Sequence, residues 1–249
     1  MSELALTFGI MVLGGFFHGL VGFGFPMIAT PLLSLLGSVQ QAVLTTLLPT
    51  LSVNATSMLF RKVDVGFLGR FWPLGGAIIL GSWSGTQLLV QYESDVYKLL
   101  LALMIVLYLY QSKLKFNLNS LIKRYFFPSM VFFGVLSGLV SGLVNVMIPV
   151  LIIYVLELKL EKNKAIILLN FCFFSSKVTQ VATFSWLGVF TLHTLLLGIP
   201  LAGAAVGALL LGKRYSGKID TGLYEKILKV TLWVMAGMLL VQYINASWK

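Results

Sequence analysis

Acidic side chains are scarce in this 249-residue chain, which has only eight, and all of them fall in or beside the predicted loops between apolar stretches. A carboxylate proton relay, a di-aspartate membrane protease and a carboxylate-bound metal each need an acid inside the membrane. A Walker phosphate loop and a His/Cys metal cluster are missing as well. We therefore predict a protein that is not an enzyme, uses no cofactor or metal, and is not an ATP-driven pump.

Cysteine and charge are also sparse. The one cysteine, Cys172, can form neither an internal disulfide nor a thiolate metal site. Charged residues make up 10% of the chain and apolar residues 58%, and the mean hydropathy is +0.95, so the lipid bilayer is the expected solvent. The net charge of +10 comes from lysines and arginines in short loops, which predicts contact with lipid and not with nucleic acid.

Eight apolar stretches span the chain, and six of them have the length of a single membrane helix. The eight run over 3–37, 38–60, 65–91, 95–112, 125–158, 162–184, 189–212 and 222–246. At about 1.5 Å per residue, 3–37 and 125–158 are too long for one crossing of a ~30 Å core and slightly short for two. Glycines and prolines interrupt both stretches midway, so we predict that each forms a hairpin of two short helices.

The distribution of basic residues supports these hairpins, because positively charged loops stay in the cytoplasm. If each long stretch returns to its starting side, 15 lysines and arginines lie inside and 2 outside, whereas a single crossing gives 8 and 9. The inside set is Arg61, Lys62, Arg70, Lys113, Lys115, Lys123, Arg124, Lys159, Lys162, Lys164, Lys213, Arg214, Lys218, Lys226 and Lys229, and the outside set is Lys98 and Lys249. The predicted topology therefore places both termini outside and makes the two halves inverted copies.

Residues shared between the halves indicate an internal duplication. The matched pairs are Gly15 with Gly134, Gly19 with Gly138, Pro31 with Pro149, Ala42 with Ala165, Gly81 with Gly203 and Gly85 with Gly207. We interpret the last two pairs as helix-packing faces, and chance similarity between glycine-rich helices is the alternative. The predicted fold is an all-α polytopic membrane protein with two inverted-topology repeats, each a broken-helix hairpin followed by three transmembrane helices. The repeats are 1–112 and 125–249, joined by a cytoplasmic linker at 113–124.

The two helix interruptions predict a substrate site. In transporters built from inverted repeats, the substrate binds near the midplane, where broken helices direct their N-termini at an anion. Glycine at such a break lets backbone N–H groups approach a ligand. The candidate substrate-binding residues at the breaks are Gly22, Phe23, Gly24, Phe25, Gly142 and Asn145. The alternative is that both breaks are kinks that serve helix packing.

The two predicted helices that follow the hairpins, 38–60 and 162–184, are the most polar spans. Together they contribute the other five candidate substrate-binding residues: Ser52, Asn54, Asn170, Ser175 and Lys177. A separation of 123 positions pairs Ser52 with Ser175 and Asn54 with Lys177. Lys177 is the only basic residue well inside a predicted span, so we expect it to attract an anion; snorkelling toward the outer interface is the alternative. His18 is a candidate gating or proton-linked residue, or else a hydrogen-bonded packing residue.

The stretch GLVGFGFPMIATPLL at 19–33 resembles the TauE/SafE family, the sulfite and organosulfonate exporter-like permeases. The likeness continues through Asn54, the turn Arg-Lys-Val-Asp at 61–64, the glycine pairs, and the stretch GLVSG at 138–142 with Pro149 and Tyr154. It covers nearly the whole chain. Departures occur at Phe25 and Pro26, where many relatives have consecutive glycines, and at Asn145 in the second break.

The resemblance implies a permease of a bacterial or archaeal inner membrane that moves small sulfur-containing anions such as sulfite, sulfoacetate or related C2 sulfonates. The expected partners are a small anionic substrate and the lipid bilayer, and a homo-oligomer is left open. The departures alter the pocket, so a carboxylate or another small anion stays open as the cargo. The rival interpretations are a non-transporting membrane component, such as an assembly factor, and a channel.

Overall fold

The computed structural model of the protein describes residues 2–61, 65–92, 94–111, 118–216 and 221–248. These ranges contain thirteen helices and no strand, which confirms the all-α class. The helices are α1 (Ser2–Val21), α2 (Phe25–Ser34), α3 (Val39–Thr45), α4 (Leu47–Leu59), α5 (Val65–Arg70), α6 (Trp72–Gln91), α7 (Val96–Tyr110), α8 (Asn119–Arg124), α9 (Phe126–Val144), α10 (Ile148–Glu157), α11 (Lys162–Trp186), α12 (Leu192–Tyr215) and α13 (Thr221–Ser247).

The first predicted hairpin is present, but its arms differ in length. α1 has 20 residues and α2 has 10. α2 returns along α1, since Ile10 and Met11 share one buried cluster with Phe25, Ala29 and Leu33. α9 and α10 have similarly unequal lengths of 19 and 10 residues. The prediction of two short arms is therefore wrong for α1 and α9, each of which is long and apolar enough to cross a membrane.

Backbone conformation explains why α1 and α9 end where they do. Gly22 and Gly24 have φ angles of 97° and 102°, and Asn145, directly after α9, has a φ of 62°. This left-handed region stops a right-handed helix, and glycine and asparagine enter it at the lowest cost. Asn145 therefore takes the structural place of Gly22 in the second half.

The prolines near the breaks have different roles. Pro26 and Pro149 each lie in the first turn of the helix that follows a break, where the missing proline N–H leaves no helical hydrogen bond unmade. Pro31 lies inside α2. The predicted match of Pro149 with Pro31 is therefore wrong, and Pro149 corresponds to Pro26.

Fewer helices span the membrane than the eight apolar stretches suggested. By length and composition, five described helices can cross, namely α1, α9, α11, α12 and α13, and α3 with α4 forms a sixth candidate that is bent by 45°. α7 is apolar but has only 15 residues. α6 has 20 residues but is not among the helices apolar enough to cross. The prediction that both are ordinary single spans is not supported, and the fold is that of a multi-pass membrane protein with five or six candidate spans.

Helices from opposite halves make the closest contacts. α1 packs along α12, and α6 packs along α9. In both pairs glycines let the backbones touch, because a Cβ added at the glycine would overlap main-chain atoms of the partner helix. The close approaches are Gly15 to Ala205 and Gly19 to Leu209 in the first pair, and Gly134 to Leu74 and Gly138 to Ile78 in the second.

These contacts recur with a constant spacing. Gly19 and Gly138 are 119 positions apart, and their partners Leu209 and Ile78 are 131 positions apart. Gly15 and Gly134 are likewise 119 positions apart, and their partners Ala205 and Leu74 are 131 positions apart. Equivalent contacts at equivalent spacings support a two-fold relation between the halves, whereas their inversion across the membrane and the repeat boundaries stay predictions.

The same contacts correct the predicted packing faces. Gly81 and Gly85 do pack against the backbone of α9. Gly203 and Gly207 instead face outward, with no atom of the described protein within 4 Å of an added Cβ. Gly212 packs against the backbone of α1 in their place. The predicted match of Gly81 with Gly203 and of Gly85 with Gly207, each 122 positions apart, is therefore wrong.

The protein surface along the helices is apolar, as a lipid-facing surface must be. Only 28% of the α1 span and 22% of the α13 span is buried inside the protein. Exposed side chains on the outer helices include Leu196, Ile199, Trp233 and Val241. Several residues named in the sequence analysis lie outside the described ranges, namely Lys62, Val63, Asp64, Lys113, Lys115, Lys218 and Lys249, as does all of 113–117 in the predicted linker.

We expect Gly138→Ala to destabilise the protein and Gly203→Ala to leave its stability unchanged or slightly higher. The Gly138 methyl would meet Ile78 Cα and Ser82 N at 2.9 Å, and backbone atoms cannot move aside independently. Overpacking of this kind costs about 1–3 kcal/mol. Heating the detergent-purified variants and measuring the monodisperse fraction that remains tests this. Equal melting temperatures for the two variants would contradict the observed packing.

Candidate functional site

The first break lies where α1, α4 and α11 approach each other. The Gly22 carbonyl accepts a hydrogen bond from Asn170 Nδ2 at 2.8 Å, so α11 satisfies a backbone group that the break leaves free. A Cβ on Gly22 would lie 2.8 Å from Arg61 Nη2 and 3.0 Å from Ile166. The crowding and the positive φ both require glycine at this position.

His18 is buried beside this break and helps to begin α2. Its Nδ1 accepts the backbone N–H of Phe25, the first residue of α2, at 3.4 Å. Nε2 therefore carries the ring proton and donates to Ser57 Oγ at 2.7 Å, the pattern of a neutral imidazole. In this arrangement His18 is a hydrogen-bonded packing residue that connects α1, α2 and α4.

Basic side chains gather at one end of the first break. Arg61 Nη1 donates to Asn163 Oδ1 at 2.7 Å and so links the end of α4 to the start of α11. Partial burial lowers the pKa of Arg61, but a guanidinium stays charged in proteins. Lys213 of α12 lies 3.9 Å from the centre of the Phe60 ring. The end of the molecule near Gly22 therefore has a positive potential.

The second break is held by Asn145. Its side chain is fully buried, and Nδ2 donates to Thr30 Oγ1 at 2.9 Å and to Thr46 Oγ1 at 2.8 Å. Thr30 belongs to α2, and Thr46 lies at the bend between α3 and α4. Asn145 thus connects the second break to the first hairpin and to the helix that follows it.

A chain of serine hydroxyls joins three helices next to the second break. Ser176 Oγ of α11 lies 2.9 Å from Ser82 Oγ of α6 and 2.8 Å from Ser141 Oγ of α9. Gln180, one turn further along α11, donates through Nε2 to the Ser141 carbonyl at 2.8 Å. All four side chains are fully buried. We call Ser82, Ser141, Ser176 and Gln180, together with Lys177, the α11 polar cluster.

Lys177 is the one ionisable member of this cluster. Its side chain has 0% exposure, which contradicts snorkelling toward the interface. Nζ donates to Gln180 Oε1, and no carboxylate pairs with it among the described residues. An ammonium has three hydrogen-bond donors, so two of them have no described acceptor. Such a charge is costly inside a membrane protein unless a counter-charge reaches it.

The two breaks lie beside one another. A Cβ at Gly24 would lie 3.9 Å from Ile148 Cδ1 at the start of α10, and Asn145 reaches Thr30 in the other direction. The space near the first break is small, about 20 Å³, and its lining includes Phe23, Gly24 and Ile148. The described conformation is therefore closed around the breaks.

Buried oxygens without partners lie in the same interior. Asn54, Asn145 and Asn170 each donate through Nδ2 and leave Oδ1 without a hydrogen-bond partner in the described structure. Thr50 Oγ1 is unpaired as well. Buried polar groups in native proteins nearly always have partners, so these atoms indicate a region where water or a ligand completes the hydrogen bonding.

Not every predicted site residue lies in this interior. Ser52 and Ser175 are only half-buried, and Ser175 Oγ bonds to the Phe171 carbonyl of its own helix. Gly142 lies inside α9, one turn before the break, and packs on the backbone of Ser82 and Thr86 instead of exposing backbone to a ligand. Phe25 is fully buried inside the first hairpin. The role of all these residues in binding stays a prediction.

Helical spacing identifies three residues that the equal-separation argument missed, Thr46, Thr50 and Ser57. With the candidate Asn54 they follow at steps of four, four and three, which places all four on one face of a helix. That face is buried, whereas Ser52 lies off it. Ser82 and Ser141 are distant in sequence from Ser176, as Thr30 is from Asn145, and only the fold brings these partners together.

A family model described as Sulfite exporter TauE/SafE matches residues 7–239. The matched range contains both breaks, His18, Arg61 and the whole α11 polar cluster. No curated protein and no solved structure matches the chain.

We expect Asn145→Ala to destabilise the protein more than Asn145→Gly does. Both variants lose the two hydrogen bonds, each worth about 1 kcal/mol, but only alanine also pays about 1–2 kcal/mol for the left-handed backbone. Thermal unfolding of the purified variants in detergent measures the difference. If alanine is tolerated as well as glycine, the backbone at position 145 is not held in the left-handed region.

Proposed function

The chain belongs to the TauE/SafE sulfite exporter family, and we propose that it is a secondary transporter of small sulfur-containing anions, such as sulfite, sulfoacetate or related organosulfonates. The family supports a membrane anion exporter in general terms. The residues that bind the anion and the way the protein moves it are the subject of the proposal.

The observation that carries the proposal is the buried charge of Lys177. No other charged side chain lies in the described parts of α4, α6 and α9, which pack against α11, and the charges of α10 and α11 besides Lys177 lie at the helix ends. An anion beside Lys177 would supply the missing counter-charge and accept hydrogen bonds from the N–H groups of Nζ that have no described acceptor. The hydroxyls of Ser82, Ser141 and Ser176 are further donors within the same cluster.

The short helices add to the favourable field for an anion. α2 and α10 both begin at a break, and a helix N-terminus carries a partial positive charge and unpaired N–H groups. The two starts lie side by side through Gly24 and Ile148. We propose that the anion binds between these helix starts and the α11 polar cluster, with the backbone at Gly22 and Gly24 and the side chains of Asn54, Asn145 and Asn170 around it.

Alternating access would open this closed interior to one side at a time. The Arg61–Asn163 hydrogen bond closes the basic end, which we place in the cytoplasm. At the opposite end of α1, a depression of about 390 Å³ reaches Thr45, next to the Thr46 that binds Asn145. We place both termini outside, in a bacterial or archaeal inner membrane. Each half contributes one helix to both of the closest helix pairs, α1 with α12 and α6 with α9. This packing supports a rocking motion between two related units.

A different small anion, such as a carboxylate, is the second candidate cargo, because ammonium and hydroxyl donors bind a carboxylate as readily as a sulfonate. The assay therefore includes acetate beside the sulfur compounds. A non-transporting assembly component would show no saturable flux of any of these anions.

We expect Lys177→Met to reduce the saturable flux of labelled sulfite or sulfonate in proteoliposomes by at least about 100-fold, because the one fully buried lysine of the described helices, which we propose as the counter-charge, is removed. Lys177→Arg restores part of the flux, since the guanidinium keeps the charge but differs in shape and hydration. Lys162→Met, the same change at the exposed start of α11, is the matched control and keeps wild-type flux.

Size-exclusion profiles and reconstitution yields show whether the Lys177 variants fold. Wild-type flux in a folded Lys177→Met protein would remove Lys177 from the mechanism. Flux that is absent even from the wild-type protein, for every anion tested, would favour the non-transporting interpretation.

A further inference from the structure

We propose that Lys177 with Ser82, Ser141 and Ser176 forms a site for one singly charged oxyanion, so that the transported species are hydrogensulfite and monosulfonates and not dianions. The inference rests on the proposed transport function and narrows its substrate class, since it removes sulfoacetate, a dianion at neutral pH, from the cargoes named above. It follows from a count of the charges that the described helices bring to the interior.

Only one cation is available to the anion in the membrane interior. Lys177 is fully buried, and the described spans that pack against α11 contain no second lysine or arginine away from the helix ends. Among the described residues, the other fully buried side chain that could become a cation is His18, whose Nδ1 accepts the Phe25 N–H in the pattern of a neutral ring. Arg61 lies at the end of α4 and is engaged by Asn163.

The remaining groups of the interior suit one negative charge but do not compensate a second. The serine hydroxyls are neutral donors that hydrogen-bond to one another in the closed conformation. The unpaired Oδ1 atoms of Asn54, Asn145 and Asn170 are acceptors, which carry partial negative charge. An uncompensated charge in this environment costs several kcal/mol, and a dianion beside a single ammonium leaves one such charge.

The donor arrangement also fits the shape of the proposed ligand. A sulfonate or hydrogensulfite presents several oxygens around one sulfur, and serine hydroxyls from three helices meet, with Ser82 on α6, Ser141 on α9 and Ser176 on α11. Lys177 is linked to them through Gln180, which accepts from Nζ and donates to the Ser141 carbonyl. Each serine hydroxyl can exchange its serine partner for a ligand oxygen without becoming unsatisfied. The same hydroxyls therefore have two hydrogen-bond arrangements. They bind one another when the site is empty and closed, and they bind the anion when it enters.

The test uses wild-type proteoliposomes with the same pH inside and outside. At a fixed total sulfite concentration, we expect the initial flux to fall roughly tenfold for each pH unit above the second ionisation of sulfurous acid, because the fraction of hydrogensulfite falls by that factor. Methanesulfonate stays a monoanion throughout this range, so its flux stays constant within about twofold. A parallel rise of both fluxes at low pH would reveal protonation of the protein, for example at His18, and would overturn the assignment of the pH effect to the substrate.

Sulfoacetate provides a second measurement at neutral pH, where it is a dianion. We expect its flux at equal concentration to be at least about tenfold below that of methanesulfonate. Sulfoacetate flux equal to that of methanesulfonate, or sulfite flux that does not fall at high pH, would overturn the monoanion site and leave the proposed transport function standing. Absence of saturable flux for every anion would overturn the transport function and this inference together.

Two serines of α11 provide a matched pair of variants. We expect Ser176→Ala to raise the half-saturating concentration of methanesulfonate about tenfold or more, since a hydrogen bond to a charged group is lost. Ser185→Ala removes an exposed hydroxyl near the end of the same helix and should leave the half-saturating concentration unchanged. Equal effects of the two substitutions, with both proteins folded by size-exclusion chromatography, would exclude Ser176 from the site.

Discussion

A helix can be interrupted inside a membrane only where other groups of the protein take over the hydrogen bonds that the break releases, because hydrocarbon offers none. Both breaks of this chain meet that constraint with side chains from other helices. Asn170 of α11 donates to the Gly22 carbonyl, and His18 accepts the first N–H of α2. At the second break, Gln180 of α11 donates to the Ser141 carbonyl in the last turn of α9, and Asn145 binds two threonines of the first half. The buried polar residues are thus first a structural requirement, and the binding chemistry uses the same residues.

The two halves meet this constraint with different residues. Gly22 and Asn145 have the same left-handed backbone, but only Asn145 brings a side chain into the interior. On the helices that follow, the position of Asn54 in α4 corresponds to that of Lys177 in α11 when the two are aligned by the equal separation of 123. The equivalent contacts of the halves support a nearly two-fold framework in which only the second half carries a lysine at this position. In the proposed transport function, that asymmetry sets the sign and the amount of charge that the interior accepts.

Much of this arrangement was predictable from the sequence, and the rest failed for identifiable reasons. Glycines and prolines in apolar stretches located both breaks, and the position of Lys177 in a span indicated a side chain that lies inside the protein, as it does. The long first arms of the hairpins were missed because apolar composition does not show where a helix ends. The pairing of Gly81 with Gly203 was wrong because glycine identity does not report which face of a helix meets a neighbour. Ser82 and Ser141 could not be assigned at all, since their meeting at Ser176 depends on contacts between distant helices.

The exchange of partners between the halves has a consequence for biosynthesis. α1 leaves the ribosome well before α12, the helix that covers its glycine face. α6 also precedes its partner α9, although by a shorter delay. Until α12 has been synthesised, the bare backbone stripe of α1 has to rest against lipid or the insertion machinery. The packing of α1 is therefore completed only after α12 is made, and the half that contains α1 has no independent folded state in which that stripe is filled.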